Sequence, residues 1–306
     1  MALIALVSAA SEGATTSAMA MALASPRPVL LAEFDLSGGK LRHRLLREVQ
    51  RGGRRLDGGI GLHKLAEAYW GSPNGAESVA AQMAQHLWPL DDTDYRSVLP
   101  GLTDPRQAAS LREMWPSLIN VLQLTDQSLG WDVIVDGGRL VLEAGRPHPV
   151  LSPAPVLHEA DIVLLVVRLA DAASVQLASS MIEALQDELA RHGTGARALG
   201  LLAIGNGERR EFSLEQVTRE FQAPVLGVLR WDERTAAYLR EGGPAPRGLS
   251  RTALLRSARD VISPLRDYAQ KRRFQLQLKT TRPSSPAVMQ QVRQLALIHR
   301  QEAPRG

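Results

Sequence analysis

Residues Leu3 to Ala24, LIALVSAASEGATTSAMAMALA, constrain this chain more than any other stretch. Leu3 to Val7 is an unbroken apolar run, the right length for a buried strand and too short for a helix. Ser8 to Gly13 is a small-residue loop of the kind that ends such a strand. From Thr15 onward the segment is rich in Ala and Met, good helix formers with apolar residues on more than one face. Strand, tight loop and a helix opening with Thr15-Thr16 form a frame in which backbone N–H groups and a helix N-terminus hold a phosphate. The lysine that such a loop places before its Ser/Thr is missing. Ala14 follows Gly13, no lysine occurs before Lys40, and Glu12 puts a negative charge where phosphate would sit.

Two plainer readings stand beside this one. A secretory signal would fit the short apolar run and Ala22-Leu23-Ala24, but no Lys or Arg precedes Arg27 and Glu12 interrupts the segment. The other is an ordinary first strand and helix of an α/β core with no ligand.

At 306 residues the chain can bury one large core, alone or with an extension. The absence of cysteine excludes a disulfide scaffold and cysteine-ligated metal, and fits a cytoplasmic protein. The seven histidines are scattered, with no pair at metal-ligand spacing. Charge is unevenly placed: residues 271–306 carry +7 of a whole-chain +4, so residues 1–270 carry −3. A second basic stretch, Lys40 to Arg55, holds seven Lys/Arg against Glu48.

Six further apolar runs read as strands: Pro28–Glu33, Tyr95–Leu99, Trp131–Val135, Asp161–Val167, Ala198–Ile204 and Pro224–Leu229. Between them, helical patterns cover Glu77–His86, Pro105–Leu124 with Pro116 as the point where it would break, Ser174–Arg191, a helix begun by Ser213, a short helix to Arg240, and Leu249–Arg273. Residues 40–75 read as helix followed by a Gly-rich loop. This alternation predicts a three-layer α/β fold, a mostly parallel sheet of about seven strands with helices on both faces and the first strand central. The expected division is a domain over 1–270 and a basic tail over 271–306. Ligands in such sheets sit at the strands' C-terminal ends, here Ser8–Thr16, Asp35, Asp136, Arg168, Gly205–Gly207 and Trp231-Asp232. Aspartates after two separate apolar strands can hold Mg2+ and a water.

In order along the chain, VSAASEGATT, LLAEFDLSGG, WDVIVDGGRL, ADIVLLVVR, GLLAIGNG and PVLGVLRWDERTAAYL resemble the segments of the ParA/MinD family of deviant-Walker P-loop ATPases, especially its divergent actinobacterial MinD-like members. The resemblance covers about residues 1–270. It implies nucleotide contacts from Ser11, Glu12, Gly13, Ala14, Thr15 and Thr16, from Asn206, and from Trp231 and Asp232. It also implies Mg2+ ligation by Thr15, Asp35 and Asp136, with Asp35 positioning the attacking water. The loop departs from the family pattern in lacking both of its lysines, and Arg230 stands where the family has proline. Such cations are worth ~10³–10⁵ in rate, so the resemblance implies a degenerate site with weak or absent ATP hydrolysis. Arg139 and Arg168, near strand ends, are candidates to supply the missing charge.

Residue by residue, alternatives remain. Asp35 and Asp136 also suit turns, Thr15 and Thr16 suit a helix start, and Asp232 suits an N-cap with Trp231 packed on the sheet. The Lys40–Arg55 run reads as a solvated helix face or a partner surface. In the tail, Pro283 and Pro286 mark a linker, and Val288, Val292 and Leu295 share one helical face. Three functions compete: a positioning or partition protein for a cellular cargo, dimeric and using ATP and Mg2+; a pseudo-ATPase scaffold that binds a protein partner; and a nucleic-acid-associated protein. The tail could touch DNA or an anionic membrane without base-specific readout, placing a cytoplasmic protein beside membrane or nucleoid.

Overall fold

The first strand runs down the middle of the sheet, as its unbroken apolar sequence requires. In the computed structural model residues 2–10, 13–169, 172–205 and 213–277 are described. The N-terminal half contains β1 (Leu3–Ser8), α1 (Ala14–Ala24), β2 (Val29–Glu33), β3 (Gln50–Arg51), β4 (Arg54–Arg55), α2 (Leu62–Trp70), α3 (Gly75–Gln82), β5 (Trp88–Pro89), β6 (Arg96–Leu99) and α4 (Trp115–Leu129). There follow β7 (Asp132–Arg139), β8 (Leu142–Glu143), β9 (Arg146–Pro147), α5 (Ala154–Glu159), β10 (Ile162–Arg168) and α6 (Ala172–His192). The described chain ends with β11 (Leu199–Gly205), α7 (Leu214–Phe221), β12 (Val225–Arg230), α8 (Glu233–Glu241) and α9 (Ala253–Gln277).

Eight strands form one sheet in the order β12-β11-β10-β1-β7-β2-β6-β5. All neighbours are parallel except β5, which runs antiparallel to β6 at the edge. The seven strands read from the sequence are present. The eighth is too short and too proline-bound to show a pattern.

Period two decides the layers. Leu3, Ala5 and Val7 of β1 enter one core with residues of α2, α3, α4 and α6. Ala2, Ile4 and Leu6 enter the other with residues of α1, α8 and α9. Because α1 is packed by both sheet and helices, ten of its eleven residues are buried. Its Ala18, Ala20 and Ala22 leave room for that close packing.

Two local expectations are corrected. The basic run after Lys40 forms only a 3-10 turn, Leu45–Arg47, before the β3–β4 hairpin, whose turn uses Gly52 and Gly53 at φ 56° and 76°. Left-handed glycines there favour a tight reversal over a helix. Pro116 does not break a helix: the chain makes a separate 3-10 segment, Pro105–Leu111, and Pro116 lies in the first turn of α4, where a missing N–H costs little.

The last helix continues past residue 270. Arg272 donates from Nε to the Asp161 carbonyl at 2.9 Å, and Arg273 Nε donates to Asp161 Oδ1 at 3.0 Å. Asp161 Oδ2 also accepts the buried Leu3 N–H at 2.8 Å. Two of the tail's basic residues thus fasten α9 to the start of β1. The amphipathic stretch at Val288–Leu295 lies outside the described residues.

Candidate functional site

At the C-terminal end of β1 the chain reaches α1 through Gly13, whose φ of 102° is the left-handed geometry that glycine accepts. Among the described residues no side chain caps α1, so its first N–H groups and the positive end of its dipole are aimed outward. Ala14, Thr15 and Thr16 form the opening turn. Ser11 and Glu12 lie outside the described residues, as does Asn206.

Three carboxylates sit behind this turn. Glu33, the last residue of β2, is fully buried and accepts the backbone N–H groups of Lys40, Leu41 and Gly101 at 2.6, 2.9 and 2.8 Å. Burial pushes its pKa up against those three bonds, and Asp35 nearby adds to the rise. Asp35, 2% exposed, has its Oδ1 occupied by the Ser37 N–H at 3.0 Å and hydroxyl at 2.5 Å. Its Oδ2 lies 2.6 Å from the Lys40 ammonium. Asp136, in β7, accepts the Gly138 N–H on Oδ1 at 3.1 Å, while among the described residues its Oδ2 has no partner. Burial foremost, then Asp35 and Glu33, pushes its pKa up to about 7, with the Thr15 hydroxyl and the Gly138 N–H opposing. Gly138, at φ 61°, must be glycine: a Cβ there would lie 2.6 Å from Asp35 Oδ2.

Trp231 forms another wall. A Cβ on Gly13 would be 3.5 Å from its ring, so the indole rests against the loop. The Arg168 guanidinium stacks over the same ring at 4.5 Å, and the indole N–H donates to Glu233 at 2.7 Å. Asp232 turns inward: it caps α8, accepting the Thr235 N–H at 3.2 Å and hydroxyl at 2.9 Å.

These parts enclose a cavity of about 250 Å³. Gly13, Ala14, Thr15, Thr16 and Trp231 line it, together with Lys40, Arg44, Arg139, Arg168 and Arg240. Five cationic side chains and no acidic one therefore face the cavity among the described residues. Asp35, Asp136 and Asp232 do not line it, and Lys40 stands between Asp35 and the opening. Arg139 and Arg168 are where the sequence places them. Lys40 and Arg44 belong to the run whose sequence reads as a solvated face or partner surface, Arg240 carries no local signal, and the visible signal for Glu33 is a charge ending an apolar strand. A cluster of three or more His, Asp or Glu side chains able to hold a metal is absent among the described residues. A larger cleft of about 760 Å³ lies elsewhere, between the β3–β4 hairpin and the β5 edge, where Arg51, Arg54 and Arg96 face Asp91, Asp92 and Asp94. No helix among the described residues is long and apolar enough to cross a membrane.

The sequence matches no protein-family model and no curated protein. Solved structures do match the fold. A ParA family ATPase from Chlorobium tepidum superposes with a TM-score of 0.61 at 12% identity, covering 85% of this chain and 98% of its own. MinD from Pyrococcus horikoshii, complexed with Mg-ADP, gives 0.59 at 17% identity, covering 88% and 97%. The MinC:MinD complex of Aquifex aeolicus gives 0.54 at 14% identity, covering 93% and 99%. Identities this low speak to architecture alone: the chain has the fold of the ParA/MinD-type P-loop ATPases.

Proposed function

We propose that this chain is a MinD/ParA-like protein for the spatial positioning or partition of a cellular cargo, in which the nucleotide site turns over ATP slowly or not at all. The observation that carries the reading is the loop cavity itself. A P-loop frame with the outward-facing N-terminus of α1 is kept, but its cations come from Lys40, Arg44, Arg139, Arg168 and Arg240 rather than from the loop. Backbone N–H groups and converging guanidiniums suit a phosphate-bearing ligand. Arginines face the cavity from β7, β10 and α8, so one bound anion could tie together elements from both halves of the sheet.

Hydrolysis needs more than binding. Asp35, the residue implied as water-positioning, is engaged by Lys40 and Ser37 and does not open on the cavity. A group so held is poorly placed to orient an attacking water. Localisation would then rest on a homodimer and on a protein partner, in the way that the matched MinD is found with MinC. The basic segment 271–306 would add salt-dependent contact with DNA or an anionic membrane, and the protein would work in the cytoplasm beside one of them.

Calorimetric titration with ATP in the presence of Mg2+, paired with a phosphate-release assay, tests the reading. Expected are measurable ATP binding and turnover that stays near background, unchanged by Asp35→Ala. Turnover at a rate ordinary for an ATPase of this fold, abolished by Asp35→Ala, would overturn it.

A further inference from the structure

We propose that Lys40 occupies the place of the divalent cation in this site, so that a nucleoside polyphosphate binds without Mg2+. The matched MinD is complexed with Mg-ADP; the residues here do not fit the metal. The inference rests on reading the loop cavity as a phosphate site.

Mg2+ demands near-octahedral oxygen coordination, built from one or two carboxylates, waters and phosphate. Here Asp35 has no free oxygen to offer. The ammonium of Lys40 is 2.6 Å from Oδ2, and Ser37 takes Oδ1 through both its N–H and its hydroxyl. Asp136 presents a single unpartnered oxygen, Oδ2, and does not line the cavity, so of the three implied ligands Thr15 alone, a neutral hydroxyl, faces it.

Lys40 is not placed there by accident of rotamer. The turn that carries it is fastened by Glu33, whose Oε1 accepts the N–H groups of Lys40 and Leu41 and whose Oε2 accepts that of Gly101. Gly39 packs so closely that a Cβ would lie 2.6 Å from the Leu102 carbonyl oxygen. The lysine backbone is thus fixed, and its side chain bridges Asp35 and the cavity. One ammonium neutralises Asp35 without the geometry that a metal requires. The arginines at 44, 139 and 168 then provide the charge that phosphate oxygens need, and among the described residues none of the three is in an ion pair.

The experiment has two arms on the full chain. In the first, ATP is titrated calorimetrically in EDTA and again in Mg2+; the dissociation constants should agree within about twofold. In the second, Mn2+ is titrated and followed by electron paramagnetic resonance, with no protein-bound signal expected for the native chain. Lys40→Met, or Lys40→Gln should the first fold poorly, should gain a bound Mn2+ signal that Asp35→Asn in the same chain removes. A native Mn2+ signal lost with Asp35→Asn overturns the proposal. So does ATP affinity about tenfold or more weaker in EDTA. ATP that fails to bind in both buffers refutes the phosphate reading of the cavity instead, and the Mn2+ arm alone then decides the place of Lys40.

Discussion

Removing the Lys40 ammonium tests the charge balance of the site directly. Asp35 is 2% exposed, while the Lys40 side chain is 36% exposed, so the pair lies between two measured extremes. Breaking a fully buried pair costs about 3–5 kcal/mol, because the remaining charge is left uncompensated. Exposed pairs are worth about 0.2–1 kcal/mol. With one partner buried and the other reaching solvent, Lys40→Met should cost about 2 kcal/mol. Burial is the main cause of the upward shifts of Glu33 and Asp136, with the Asp35 carboxylate adding to both. Asp35→Asn should cost about 1 kcal/mol, since the freed lysine can turn outward to water. Combining the two removes both charges and should recover about 1–2 kcal/mol of the summed loss. Urea unfolding of the four proteins measures the coupling, and melting should drop by about 4–8 °C for Lys40→Met. A Lys40→Met protein within about 0.5 kcal/mol of native, with no coupling to Asp35, would show that the ammonium compensates nothing.

Substitutions at three other positions have outcomes fixed by the structure. Gly138→Ala combines left-handed backbone strain with a Cβ driven into Asp35, and should lower unfolding free energy in urea by about 2–4 kcal/mol while detaching Asp35 from Lys40; a loss under about 1 kcal/mol would mean that the β7 turn is slack. Asp161→Ala leaves the buried Leu3 N–H without its carboxylate and removes one partner of Arg273, for about 2–3 kcal/mol, whereas Asp161→Asn keeps an acceptor and should cost about 1 kcal/mol; equal losses would contradict the division between the two roles. The His86 imidazole, 8% exposed, is pushed down to about 4 by burial first and then by His63 and Lys64, with Glu67 opposing. The unfolded chain therefore binds more protons than the folded one between about pH 6.5 and 4. The His86 contribution to stability therefore falls by about 1–2 kcal/mol as pH drops from neutral to about 5, while the raised carboxyls of Glu33 and Asp136 act in the opposite direction. His86→Leu should gain about that much relative to the native chain between about pH 7 and 5, and no relative gain sinks the assignment.

Legibility in the sequence followed burial. β1, β10 and β11 are covered on both faces, so their sequences are continuous apolar runs that stand out from any neighbour. The β3–β4 and β8–β9 hairpins and the β5 edge have two residues per strand, too few for a period to show. In the site, the glycine turn, the threonines and the aspartates after strands were readable because their residue types follow from backbone geometry. Lys40 was not. In sequence it is the first of seven cations in a run, and nothing local distinguishes it from Arg42, which donates instead to the carbonyls of Asp57 and Ile60. Its destination is set by Glu33, seven residues earlier, and by Gly101, sixty-eight residues from Glu33, which meet only when β2 and β6 pair. Asp232 shows the converse: a residue placed by resemblance in the nucleotide site spends both carboxylate oxygens on its own helix.

The charge arrangement also limits how this site could respond to a ligand. Glu33, Asp35 and Asp136 form an acidic cluster in the sheet's C-terminal end, while among the described residues five cations face the cavity in front of it. Lys40 is the charged side chain that belongs to both sets. A phosphate entering the cavity competes with Asp35 for that ammonium, and whatever it gains from Lys40 is offset by weakening the contact that neutralises the buried acid. Arg44 and Arg139 carry no such offset and should dominate affinity, Arg168 would draw on its stacking with Trp231, and Lys40 should couple occupancy to the turn between Ser37 and Leu41. Since Glu33 holds that turn by its backbone, movement of Lys40 would be felt at Gly101 and hence at the end of β6. That path runs through hydrogen bonds to one buried carboxylate, and replacing Glu33 with Gln, which keeps an acceptor for two of the three N–H groups at most, would cut it without touching the cavity wall.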